Sequence, residues 1–192
     1  MPLRLLSPRP PSDPGPAVPP ARMPARAALP DCSAKRVFDL LGALVLLPVF
    51  LVPLLLAAGL LCAAGGGRVF VREPAAGLGG RPFRTWRLGT RGAGRIGAAV
   101  EWCALDGVPQ LLNVLRGEMS LVGPRPQART DCADRLFVRP GMTGLWQVSA
   151  RSDLPWEEMA LLDRHYVESH WLGMDLAILA RTPRAACRHR HA

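Results

Sequence analysis

Residues 105–151 carry side chains whose types and spacing suit phosphate chemistry. In Leu105-Asp106-Gly107-Val108-Pro109-Gln110-Leu111, an acid stands just before Val108, Leu111, Leu112 and Leu115, which recur at helical spacing. A helix begun there and ended by Gly117 has a carboxylate at its N-terminus, where the backbone field favours negative charge and welcomes an incoming phosphate. Asp is equally a favoured N-cap, and the residues by themselves leave both roles open. In Met119-Ser120-Leu121-Val122-Gly123-Pro124-Arg125-Pro126, two prolines restrict the backbone around Arg125. Its guanidinium suits a two-pronged phosphate contact, a structural arginine being the other reading. Arg139-Pro140-Gly141-Met142-Thr143-Gly144-Leu145-Trp146-Gln147-Val148 completes the set. Gln110 and Gln147 read as polar scaffolding, and Trp146, Trp156 and Trp171 as interfacial anchors or core. Residues 89–97 hold four glycines but no Walker lysine and no dinucleotide-binding spacing, so a plain loop is expected there.

The elements that must position these groups follow from pattern. Residues 40–64 form 25 uncharged positions, about 37 Å as a straight helix against a hydrocarbon core of about 30 Å. Pro48 and Pro53 interrupt this run, and basic residues flank it on both sides, Lys35 and Arg36 before and Arg68 and Arg72 after. Each proline removes a donor and bends a helix, and equal flanks give the positive-inside rule no direction. A re-entrant hairpin, helix-break-helix at Pro48 and Pro53, is therefore expected ahead of a spanning helix. Asp39 falls one turn after Lys35 and Arg36, which predicts an interfacial ion pair. Alternation in 68–72 and 83–88 around a turn-rich stretch predicts a short β-hairpin. Two further helices are expected within 154–181, the second with a broad apolar face that suits either a bilayer surface or a core.

Composition bounds the rest. The 192 residues, 49% apolar, can build one core, yet ten prolines within the first 30 positions predict a disordered arm. Of the formal +9, residues 1–36 hold +4 and residues 181–192 another +4, so the charge belongs to the ends. Attraction to anionic lipid accounts for that distribution, and a nucleic-acid partner is not expected. Five cysteines without C-x-x-C spacing argue against a disulfide scaffold or a zinc site.

In order and spacing, these motifs resemble the bacterial sugar transferase family, the monotopic polyprenyl-phosphate sugar-1-phosphate transferases that start exopolysaccharide and O-antigen assembly. The likeness runs from about position 35 to 182 and takes in Lys35-Arg36-x-Phe38-Asp39, Val69-Phe70-x-Arg72, Pro82-Phe83-Arg84, the three segments above and Asp163-x-x-Tyr166-Val167. It implies that an aspartate, here Asp106, attacks the β-phosphorus of a nucleotide diphosphate sugar, releases the nucleoside monophosphate and passes the sugar phosphate to a polyprenyl phosphate such as undecaprenyl phosphate. It further implies substrate contacts from Arg125, Arg151 and Arg87, Mg²⁺ as cofactor, and a place on the cytoplasmic face of a bacterial inner membrane. The pattern departs at Gly107, where the family carries a glutamate taken to help hold the metal. Asp106 is then left as a weak metal ligand, with Glu101 or Glu118 as the acids that could compensate. A catalytically weakened or inactive member serving as a membrane-associated partner or scaffold is the alternative.

The expected architecture is α+β, mainly α. It comprises a disordered Pro/Arg-rich arm (1–34), a membrane hairpin (35–67), a cytosolic catalytic domain (68–183) and a basic tail (184–192). Expected partners are the nucleotide diphosphate sugar, the polyprenyl phosphate and membrane lipid. Homo-oligomerisation stays open, as does the identity of the sugar.

Overall fold

The computed structural model describes residues 33–65, 67–127, 133–149, 156–169 and 171–188. Most of the expected arm, and Arg151, lie outside the described residues. Helix α1 (Ser33–Ala63) precedes an antiparallel hairpin of β1 (Phe70–Ala76) and β2 (Pro82–Leu88). Helix α2 (Gly94–Trp102) follows, then a 3-10 helix (Leu105–Gln110) that runs directly into α3 (Leu111–Arg116). Strands β3 (Ser120–Val122) and β4 (Gly141–Thr143) pair in parallel, and α4 (Leu145–Val148), α5 (Trp156–Ser169) and α6 (Leu172–Arg188) complete the chain. The domain is thus mainly helical with a short β-hairpin, as the pattern implies. The parallel pair was not foreseen, because three-residue strands are too short to display an alternation.

Three sequence expectations need correction. Ser33–Ala63 is a single helix with Pro48 and Pro53 inside it, so the run is not divided into two helices. Asp39 forms no interfacial pair. It is only 1% exposed and accepts the Leu121 N–H at 3.1 Å. Lys35 instead donates to Asp175 at 2.6 Å and to the Val122 carbonyl at 3.2 Å, and Arg36 donates to the Val114 and Leu115 carbonyls at the C-terminal end of α3. Residues 89–97 are not a plain loop, since α2 starts at Gly94 and Gly97 lies so close to the Thr90 carbonyl that a Cβ would stand 2.3 Å from it. The first residues of the expected basic tail also belong to α6.

Two apolar clusters hold the fold. Val108, Leu111, Val114, Met119, Leu121, Val122, Tyr166 and Ile178 pack around Ala43 of α1, with Leu46, Leu47 and Phe50 alongside. Ala57 and Leu61, near the other end of α1, pack with Leu88, Ala93 and Val100. One stripe of α1, from position 43 to 61, therefore lies on the domain through both halves of the helix. Its other faces leave Leu41, Leu44, Val45, Val52, Leu55 and Leu56 exposed. Among the described residues, α1 is the one helix long and apolar enough to cross a membrane.

The hairpin is fixed to α3 by one side chain. Asn113 is fully buried, accepts the Trp86 N–H at 3.1 Å and donates to the Arg84 carbonyl at 2.8 Å and to Glu118 at 2.6 Å. Its amide acts as a third strand along the free edge of β2, satisfying backbone groups that burial would otherwise leave unpaired. Replacing Asn113 with Ala strands those partners, at about 1–3 kcal/mol for each buried group left unsatisfied. Asn113→Ala is expected to lower unfolding stability by about 3 kcal/mol, read as a fall in melting temperature in detergent or nanodisc.

Candidate active site

Asp106 lies in the first turn of the 3-10 helix, whose preceding residue, Ala104, adopts a left-handed conformation at φ 53°. It does not cap the helix, since no side chain bonds the free amides there. Its carboxylate instead takes the Arg87 guanidinium, Nη2 to Oδ2 at 2.5 Å, with the two side chains 41% and 17% exposed for Arg87 and Asp106. Arg87 is the penultimate residue of β2, opposite Val71, and its other edge stands 4.0 Å from Glu73 two residue pairs along the hairpin. Because Asn113 locks β2 to α3, the strand that carries the guanidinium and the helix that follows the carboxylate are held in one frame.

Position 107 is sterically free. A Cβ built on Gly107 would meet nothing nearer than Gln110 Nε2 at 4.0 Å, so the fold does not demand glycine there. The acids that could make good the missing carboxylate are engaged elsewhere: Glu101 accepts from the Thr90 hydroxyl and Glu118 from Asn113. Among the described residues no group of three His, Cys, Asp or Glu side chains could hold a metal ion. A divalent cation at Asp106 would find one protein carboxylate, and that one is already paired with a guanidinium. One carboxylate beside substrate phosphates is the least that Mg²⁺ takes, and with that carboxylate held by Arg87 the donor set among the described residues does not fit a protein-held Mg²⁺.

Arg125 follows β3, and its exposed guanidinium sits 5.6 Å from the centre of the Trp146 ring, which follows β4. The two segments meet because glycine allows it. The Gly123 N–H donates to the Thr143 carbonyl and the Gly141 N–H to the Pro124 carbonyl, both at 2.9 Å. A Cβ on Gly141 would stand 2.0 Å from the Gly123 nitrogen. The Arg125 backbone is also bonded to the carboxyl of Asp163 on α5, which forms an ion pair with Arg135 at 3.0 Å. The structure thus brings Arg87 to Asp106 and sets Arg125 beside Trp146. Gln110 is buried, as scaffolding requires, while Trp171 is exposed. Asn113 and Asp163 stand within the motifs of the family likeness with no role assigned to them, and Asp175 has no signal in composition or period. Asn113 is also a polar residue inside the apolar run Leu111-Leu112-x-Val114-Leu115, the pattern of a side chain that must find buried partners.

Burial pushes the Asp163 carboxyl up from 3.8 to about 6, against the opposing pull of Arg135 and of the Arg125 backbone. A raised acid binds its proton more tightly in the folded state than in the unfolded one. The resulting stability is fully present below the unfolded value and is lost as pH rises through about 6. The full swing amounts to about 3 kcal/mol. Between pH 4.5 and 7, unfolding stability of the wild-type chain should therefore fall relative to Asp163→Asn. Parallel stability-versus-pH curves for the two proteins would contradict this account.

Comparisons with known proteins give the family of the chain. The sequence model of the bacterial sugar transferase family matches residues 31–189. The exopolysaccharide production protein ExoY of Rhizobium meliloti (strain 1021) is 34% identical, over 82% of this chain and 87% of its own. The UDP-glucose:undecaprenyl-phosphate glucose-1-phosphate transferase of Caulobacter vibrioides is 36% identical over 77% of this chain and 67% of its own. Other relatives are matched over less of their length, 39% for the UDP-galactose-lipid carrier transferase of Erwinia amylovora and 45% for the ExoY protein of Sinorhizobium fredii. With a family match across most of its length and a relative covered almost end to end, the chain belongs to the bacterial sugar transferase family.

Proposed function

We propose that this protein is a membrane-bound enzyme that transfers a sugar-1-phosphate from a nucleotide diphosphate sugar to undecaprenyl phosphate or a similar polyprenyl phosphate, as a first step of exopolysaccharide or related glycan assembly. The observation that carries the reading is the accessible carboxylate of Asp106, held by Arg87 at the end of β2, in a chain of this family. Two relatives carry the transfer in their names: one moves glucose-1-phosphate and another galactose phosphate onto undecaprenyl phosphate.

In the first step, the Asp106 oxygen not held by Arg87 attacks the phosphorus that bears the sugar. The bond from that phosphorus to the nucleoside monophosphate breaks, and its electron pair leaves with the nucleotide oxygen. In the second step, a polyprenyl phosphate oxygen attacks the same phosphorus, the bond from phosphorus to the Asp106 oxygen in the acyl phosphate breaks and the carboxylate is restored. Arg87 orients the nucleophile, while Arg125, braced by Trp146, and Arg151 take the substrate's phosphates. No step passes through Mg²⁺, for which the side chains around Asp106 are poorly suited.

The acceptor's phosphate stays at the headgroups, so the site must lie close to the bilayer. The outward face of α1 is apolar and exposed, and Trp171, Leu172 and Leu176 are exposed near the start of α6, both suited to contact with lipid. Both halves of α1 pack on one domain, which supports a re-entrant seat in the cytoplasmic leaflet of the inner membrane over a crossing helix. Gly107 is the observation that favours the alternative of a member without turnover.

Membranes containing the chain, supplied with UDP-sugars and undecaprenyl phosphate, should yield a sugar-diphosphate lipid by mass spectrometry. Asp106→Asn should lower its formation by about 10³-fold or more. No product from the wild-type chain with any nucleotide sugar would establish the alternative. For topology, single cysteines placed at Ala34 and Arg68 in a cysteine-free background should react from the same side of sealed vesicles. Labelling from opposite sides would mean that α1 crosses.

A further inference from the structure

We propose that Arg87 supplies at Asp106 the positive charge that the family resemblance assigns to Mg²⁺, so that transfer by this chain does not depend on a divalent cation. The inference rests on the reading of Asp106 as nucleophile and adds a role for the residue beside it.

Geometry and chemistry both point to Arg87. Its Nη2 lies 2.5 Å from one Asp106 oxygen, the place a cation bound to that carboxylate would take. The strand that carries it is clamped to α3 by two Asn113 bonds, so the charge is held on a rigid frame before substrate arrives. The neighbouring acids cannot readily assemble a competing ligand set. Position 107 has no carboxylate, Glu101 and Glu118 are occupied by Thr90 and Asn113, and Glu73 stands on the far edge of the guanidinium itself.

A guanidinium has five N–H donors, and one bond to the carboxylate leaves others for the non-bridging oxygens of the phosphoryl group under attack. When the Asp106 oxygen bonds to phosphorus and the nucleoside monophosphate departs, the carboxylate loses its charge by becoming part of an acyl phosphate. The remaining negative charge then lies on the phosphodiester, within reach of the same guanidinium. Glu73, 4.0 Å from Nη1, remains as an anionic neighbour of Arg87 during that interval. When the polyprenyl phosphate displaces the Asp106 oxygen from phosphorus, the carboxylate returns and the original pair re-forms.

The test uses the full chain in its membrane, with lipid product measured in excess EDTA and then with added Mg²⁺. Wild-type turnover is expected to change less than about twofold between the two conditions. Arg87→Ala should lose about 100-fold in both. The double variant Arg87→Ala/Gly107→Glu should regain turnover that Mg²⁺ supports and EDTA removes, a metal dependence that a merely structural arginine would not create. In parallel, Mn²⁺ titration followed by electron paramagnetic resonance should find no stoichiometric site in the wild-type chain, a readout independent of turnover and of variant folding. Wild-type turnover abolished by EDTA and restored by Mg²⁺, stoichiometric Mn²⁺ on the wild-type chain, or an Arg87→Ala rate within twofold of wild type in EDTA would each overturn the assignment and leave the transferase reading standing. Absence of lipid product under every condition would overturn the transferase reading itself.

Discussion

One buried amide sets the geometry of the candidate site. Asn113 lies wholly inside the domain and spends both ends of its side chain on other elements, the Arg84 carbonyl and Trp86 N–H of β2 and the carboxylate of Glu118. A two-stranded hairpin has little independent stability, so β2 needs something along its open edge to keep a fixed place. The Asn113 side chain does this with bonds whose loss in a dry interior would be costly. Arg87 follows Trp86 directly in β2, and Asp106 precedes α3 by one 3-10 helix. The ion pair between them is therefore a consequence of how the hairpin is held.

The second anchorage joins α1 to the strand that leads to Arg125. Lys35, Tyr166 and Asp175 form one cluster beside the end of β3: Lys35 donates to both Asp175 and the Val122 carbonyl, and the Tyr166 hydroxyl donates to Asp175 at 2.6 Å. Burying such charges is costly unless every partner is satisfied, and here the ammonium, carboxylate, phenol and carbonyl satisfy one another. With Arg36 on the end of α3 and Asp39 on the Leu121 amide, the first turns of α1 are bound to the elements on either side of Gly117.

Much of this was readable in the residues. The helix that ends at Gly117, the hairpin and the pair of C-terminal helices follow from local period and punctuation, which single elements obey wherever they pack. The motif order was specific enough to point to the family. What misled was any inference about partners. Lys35, Arg36 and Asp39 look like an ion-paired turn along one helix, yet each finds its partner elsewhere in the chain, because burial rewards contacts with backbone groups left open at strand and helix ends. Asp106 looks like a cap, yet a guanidinium from a residue 19 positions earlier is a stronger partner for a carboxylate than a neutral amide.

By itself the sequence determined the elements, the apolar run near the N-terminus, the chemistry-bearing residues and the glycine at position 107, since all of these depend on identity and local spacing. Only the tertiary structure decided that Arg87 meets Asp106, that Glu101 and Glu118 are spent on other partners, that Arg125 lies beside Trp146, and that both halves of α1 lie on one domain. These are contacts between residues far apart in the chain. They are set by how buried polar groups become satisfied and how apolar surfaces close, and no local pattern encodes either.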